Sequence, residues 1–166
     1  PVIPHTDQIF LNYFKEISQE YPEIEANDML IDTCAMQVVQ KPEMFDVILV
    51  SNMMGDILSD VAAAVIGGVG VAPSGNIGEK IAMFEPIHGS APKHAGMNDA
   101  NPIATILSVA MMLRYSLNLY KEAKAIENSV EAILNKDYRT YDIMSEGKTK
   151  VGTREMGDLI ADEVRG

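Results

Sequence analysis

The sequence is short of cysteine: Cys34 stands alone among 166 residues. An intrachain disulfide is therefore impossible, and a reducing cytoplasm is the expected setting. The lone thiol falls in a segment that reads as packed, which suits a small core residue better than a nucleophile. Long hydrophobic runs are lacking too. No apolar stretch approaches the length needed to cross a bilayer, and the opening PVIPHTDQ has neither the charged start nor the apolar centre of a signal peptide, so a soluble chain without membrane association is expected. Positive charge is scarce. Lys and Arg total 13 against 24 Asp and Glu, a formal charge of −11 that argues against nucleic acid or an anionic membrane as partner. Two phosphate-binding signatures are missing as well: GGVGVAPSGNIGE lacks the Gly-Lys-Ser/Thr end of a P-loop, and no G-x-G-x-x-G opens a helix. Internal repeats and low-complexity tracts are absent.

What is present is a chain 47% hydrophobic and long enough to bury a core, as one domain or two small ones. Its organising stretch is SNMMGDILSDVAAAVIGG, residues 51–68. After Gly55 the run DILSDVAAAVI is rich in helix formers, with small Ala62, Ala63 and Ala64 in its second half, and predicts a closely packed helix. Asp56 and Asp60, four residues apart, then sit one turn above each other on one side. Like charges at that spacing repel, and only Asp56 stands near enough to the expected helix start to gain from the dipole. A hard divalent cation held by oxygen ligands offsets such repulsion; a solvated acidic face shows the same spacing. A third aspartate, Asp32 in MLIDTCAMQ, follows an apolar run, Met29 to Ile31, that reads as a strand end.

Along the chain, Ile9, Phe10, Tyr13, Phe14 and Ile17 recur at helical spacing between Thr6 and Tyr21, with Thr6 or Asp7 as N-cap and Pro22 as terminator. Glu23 to Ile31 reads as a strand, Thr33 to Gln40 as a short helix, and DVILV, Asp46 to Val50, as a strand covered on both faces. The glycine-rich GGVGVAPSGNIGE reads as tight turns marking a boundary between two structural units. A strand from Ile81 to Glu85 leads to the loop PIHGSAPKHAGMNDANP, whose prolines fix its path and whose polar side chains suit it to holding a ligand. Helices follow at Pro102–Leu119, Lys121–Leu134 and Thr153–Val164, with a short extended piece at Arg139–Asp142.

Together, NDMLIDTCAMQVVQKPEMFDVILVSNMMGDILSD and EPIHGSAPKHAGMNDANP resemble the decarboxylating 2-hydroxy-acid dehydrogenases typified by isocitrate and 3-isopropylmalate dehydrogenase, over nearly the whole chain and in the family's order. The resemblance implies an α/β fold of that family's own type, distinct from a Rossmann fold and present here as a C-terminal portion. Residues 1–66 then belong to a small domain carrying the dimer interface and metal site, and residues 67–166 to a large cofactor-binding domain. It also implies that Asp32, Asp56 and Asp60 bind Mg²⁺ or Mn²⁺, with Asp32 reaching the site from the neighbouring subunit of a homodimer. Positions matching His88, Gly89, Ser90, Ala91 and Asn101 lie near the adenine and ribose of NAD or NADP.

Cofactor choice falls on Lys93. NAD-using relatives commonly carry Asp there and NADP-using ones Lys followed by Tyr; here Lys93 is followed by His94, a cationic pair that favours a 2′-phosphate and hence NADP. Tyr141 matches a tyrosine that contacts the same phosphate, but Ser145 stands where Arg is usual, leaving Lys148 or Lys150 to compensate. VAPSGNIGE is closer in character to isocitrate dehydrogenases, so isocitrate is the expected substrate, with 3-isopropylmalate, or a non-catalytic partner subunit, as the alternatives. The reaction implied is hydride transfer from C2, loss of CO₂ and protonation of an enol, with the metal polarising the C2 oxygen. The family's catalytic Lys and Tyr have no counterpart in this sequence and are expected upstream of Pro1, so the chain by itself is expected to be inactive.

Overall fold

The computed structural model describes residues 4–166. The chain divides into two compact units, the first ending at Val61 and the second starting at Ala62.

The first unit is built on helices. Helix α1 spans Pro4–Ser18, α2 spans Ile31–Gln40, and α3, Asn52–Val65, begins within it. Thr6 and Asp7 lie inside the first two turns of α1 rather than capping it, and the helix ends before Pro22. Its apolar stripe is bare: Ile9, Phe10, Tyr13 and Ile17 are all exposed. Burial in this unit centres on Cys34 and Val38, one turn apart on α2, and on Leu58 of α3. Burial pushes the Cys34 thiol up from its ordinary value, the behaviour of a packed cysteine rather than a nucleophile.

Two expected strands are not formed. Residues 27–30 are irregular and Ile31 already starts α2, while residues 47–50 carry no strand assignment. Val47 is 87% and Leu49 62% exposed. A strand exists only through pairing with another segment, and among the described residues none runs beside DVILV. Helix α3 starts at Asn52, one turn earlier than the sequence predicts, so Asp56 lies outside the first turn and gains little from the helix dipole. Gly55 sits inside that turn for a steric reason: a Cβ there would lie 3.0 Å from Val50 Cγ2.

The second unit carries the strands. β1, Pro73–Ile77, pairs antiparallel with β2, Ala82–Pro86, Gly75 facing Phe84 across the ladder. The glycine-rich segment is thus only partly a set of turns. Gly67 and Gly68, at φ 116° and 106°, make the turn, but PSGNI is a strand. Gly75 belongs in it because a Cβ would come within 3.1 Å of the Phe84 ring, the close approach for which a strand glycine is kept.

Three helices cover this hairpin and one another: α4, Ile103–Tyr115, packs on both strands and on α5, Tyr120–Asn135, which packs in turn on α6, Thr153–Arg165. Two short strands, β3 (Tyr138–Arg139) and β4 (Thr149–Lys150), run parallel in a second two-stranded sheet. The core joins Val71, Ile103, Val130, Ile133, Val151, Met156 and Ile160. No helix among the described residues is long and apolar enough to cross a membrane.

Ile133 is 1% exposed in this core, whereas Ile81, in the β1–β2 turn, is 82% exposed. Ile133→Ala is expected to cost about 2–5 kcal/mol in urea unfolding, and Ile81→Ala to stay within about 0.5 kcal/mol of the parent.

Candidate functional site

The first unit holds the aspartates. Asp56 and Asp60 project one turn apart from α3 and both are exposed. Among the described residues neither carboxylate pairs with a cation, so their mutual repulsion stands uncompensated within the chain. Asp32 is likewise exposed, in the first turn of α2, where its Oδ1 accepts the backbone N–H of Thr33 at 2.7 Å. It reaches its position on a helix rather than at a strand end. No three His, Cys, Asp or Glu side chains among the described residues come together as a metal-binding group, so one copy of the chain does not assemble Asp32, Asp56 and Asp60.

The second unit holds the loop from Pro86 to Pro102, which connects β2 to α4. His88 Nδ1 lies 2.8 Å from the Gly89 carbonyl oxygen and must therefore carry the proton. That leaves Nε2 as an acceptor, and it is buried without a hydrogen-bond partner among the described residues. An orphaned acceptor of this kind calls for a donor that the chain does not supply. Ala91 adopts a left-handed conformation, φ 42°, immediately before the one-turn 3-10 segment Pro92–His94. Gly89, Ser90 and Lys93 are exposed on the loop surface.

His94 is the loop's best-connected side chain. Its Nδ1 sits 3.2 Å from both carboxylate oxygens of Asp99, and its ring stacks on Tyr141 with centroids 5.2 Å apart and planes 19° from parallel. The Tyr141 hydroxyl lies 3.3 Å from Nε2. Histidine and tyrosine, 47 residues apart in sequence, are thus brought together by the fold.

Asn101 closes the loop. Its Oδ1 accepts the Ile103 N–H at 2.9 Å, capping the start of α4, and its Nδ2 donates to Asp142 at 3.1 Å. Asp142 also accepts from the hydroxyl of Thr140, which is fully buried. Gly70 packs against this pair so closely that a Cβ would strike Asp142 Oδ2. On the other side, Asn98, at φ 54°, caps α6: its backbone carbonyl accepts from Thr153 N–H and its Oδ1 from Arg154 N–H, both at 2.9 Å. Gly152 admits this contact, since a Cβ there would fall 2.6 Å from Asn98.

Asn98, Asp99 and Asp142 are the site residues that sequence reasoning missed. Asn98 had a faint signal, a residue tolerant of positive φ two places after a glycine; the partners of Asp99 and Asp142 come only with the fold. Of the lysines expected to stand in for arginine at Ser145, Lys148 is already engaged. It donates to Asp137, whose carboxyl the lysine holds below its ordinary value. Lys150 pairs its backbone in β4 and is exposed.

Comparison with known proteins bears on the whole chain. A family model described as isocitrate/isopropylmalate dehydrogenase matches residues 2–160. The 3-isopropylmalate dehydrogenase of Carboxydothermus hydrogenoformans is 52% identical over 151 residues, 91% of this chain and 40% of that protein. The 3-isopropylmalate dehydrogenase of Pseudomonas fluorescens is 48% identical over 161 residues, 96% of this chain and 45% of its own length. Among solved structures, an isocitrate dehydrogenase from Methylococcus capsulatus superposes with a TM-score of 0.88 at 42% identity, over 96% of this chain and 46% of that one. The chain spans less than half the length of each.

Two outcomes test the geometry. Asn98→Ala is expected to lower stability by about 1–2 kcal/mol in urea unfolding, because the Arg154 N–H loses its cap and alanine resists the left-handed backbone. For Asp137 the sign follows from its depressed pKa: the ion pair with Lys148 stabilises the fold above the ordinary value of 3.8 and loses that contribution as pH falls through the lowered one. Asparagine keeps the positive φ of Asp137, so Asp137→Asn removes the charge alone. Thermal melts are expected to separate the two proteins at pH 7 and to converge as pH drops below the usual aspartate range.

Proposed function

Because the chain belongs to the isocitrate/isopropylmalate dehydrogenase family, we propose that it is the C-terminal part of a metal-dependent decarboxylating dehydrogenase acting on 3-isopropylmalate. The observation that carries the substrate is the run of relatives bearing that name at about half identity over nine-tenths of this chain. It supports the alternative above the expected isocitrate, for which the likeness to the Methylococcus capsulatus structure, at 42% identity, is the lesser support. Both acids share a 2-hydroxy acid core, so the chemistry proposed is common to them: C2 is oxidised by hydride transfer to nicotinamide, the carboxylate on the next carbon, β to the new C2 carbonyl, leaves as CO₂, and the resulting enol takes up a proton.

Asp56 and Asp60 fit a divalent cation by donor chemistry, since exposed carboxylate oxygens without a cationic partner are what Mg²⁺ or Mn²⁺ takes. With Asp32 from a second copy they make a three-carboxylate set, and a homodimer is the assembly that supplies it. When bound, the metal polarises the C2 oxygen and stabilises negative charge there. The chain's own contribution at that end is to hold three carboxylates for the ion. The Lys and Tyr that move protons in the family fall outside this sequence, so the chain alone is proposed to be inactive.

At the other end, the Pro86–Pro102 loop is proposed to bind the adenosine half of NAD(P). The buried, unpartnered Nε2 of His88 supports this, because the adenine amino group is a donor able to satisfy it. Asn101 and the Tyr141–His94 stack line the same loop, with Gly89, Ser90 and Ala91 between. Lys93 and His94 support NADP as the dinucleotide. The single cysteine supports a cytoplasmic location.

The polypeptide containing this chain is expected to reduce a nicotinamide dinucleotide with 3-isopropylmalate and Mg²⁺, and to do so faster than with isocitrate. Absence of turnover with either acid and either dinucleotide defeats the proposal. Separately, Asp56→Asn and Asp60→Asn are each expected to weaken Mn²⁺ binding, read by electron paramagnetic resonance, by about tenfold or more.

A further inference from the structure

Resting on the reading of the Pro86–Pro102 loop as the adenosine site, we propose that Asp99 is a specificity-determining residue that works against a 2′-phosphate. The sequence pairs Lys93 with His94 as two cations. The structure instead puts the Asp99 carboxylate against His94, with both oxygens 3.2 Å from Nδ1. The pair is partly sheltered, with His94 32% and Asp99 30% exposed at the side chain. A carboxylate at that distance cancels whatever positive charge the imidazole carries, and where the ring is neutral it leaves a net anion beside the loop.

The remaining charges around His94 do not restore the balance. Tyr141, stacked on its other face, brings a neutral hydroxyl to Nε2. Asp142, next to Tyr141, is a second carboxylate, already accepting from Asn101 and Thr140. Lys148 is tied to Asp137, and Ser145 carries no charge. Lys93 is left as the exposed cation on this stretch of loop. Asp99 therefore subtracts from the attraction that Lys93 and His94 offer to a dianionic phosphate, and it fixes the imidazole against Tyr141 with Nδ1 engaged by the carboxylate. Four residues separate His94 from Asp99, with Gly96 at φ 78° and Asn98 at φ 54° folding the loop back between them, so the pairing is built by the backbone.

The test uses two small probes of the adenosine end, adenosine 5′-monophosphate and adenosine 2′,5′-bisphosphate, with dissociation constants measured by calorimetry. Asp99→Asn, which keeps shape and removes charge, is expected to shift the ratio about tenfold toward the bisphosphate, the size of one unit-charge interaction across a few ångströms at a partly wet surface. His94→Gln, which leaves the carboxylate uncompensated, is expected to shift it the other way. Opposite signs are what a purely structural role does not produce. An unchanged ratio in Asp99→Asn, or a shift toward the monophosphate, overturns the proposal while leaving the adenosine site standing. Should that variant fail to fold, an unchanged ratio in His94→Gln overturns it equally. Failure of the parent protein to bind either probe overturns the adenosine reading and this inference with it.

Discussion

The loop from Pro86 to Pro102 depends on side-chain amides that do the work of backbone partners. Between β2 and α4 the chain makes no regular ladder or helix longer than one turn, so its polar backbone and its two flanking helix starts need hydrogen bonds from elsewhere. Asn101 caps α4 and reaches Asp142; Asn98 caps α6 with both its backbone and side-chain oxygens. The loop is thereby stitched to two segments of the second unit, 41 and 56 residues further on. Glycines at 70 and 152 are the sterically required counterparts, each standing where a methyl group would break one of the stitches.

That construction explains how a chain with a charge of −11 can offer a site for an anionic ligand. Repulsion is managed locally rather than by surrounding the loop with cations. Asp142 accepts from Thr140 and Asn101, Asp99 faces His94, and Asp137 accepts from Lys148. Each carboxylate is thus occupied by a donor of the chain. Asp56 and Asp60 differ in having no cationic partner among the described residues, and a divalent ion is the partner proposed for them.

The first unit shows the same logic by its exposed apolar surface. The bare stripe of α1 and the DVILV run are hydrophobic groups left without a cover among the described residues.

Periodicity and composition were enough to determine the helices, since each satisfies its own backbone locally: the predicted α1 to α6 all exist, with ends displaced by a few residues. The hairpin strand at Ala82–Pro86 was equally legible, and so were Asp56 and Asp60 as a pair on one helix face. Strands at Met29–Ile31 and Asp46–Val50 were misread because an apolar run becomes a strand only when something lies alongside to pair with it, and nothing in a local window reports that. PSGNI was misread in the opposite sense: its glycine is there for the ring of Phe84, a contact invisible before pairing. The same holds at the Pro86–Pro102 loop. Its polar residues were visible in order along the chain, but which carboxylate faces which histidine, and which asparagine caps which helix, is set by distances between segments far apart in sequence, and only the tertiary structure brings them within hydrogen-bond reach.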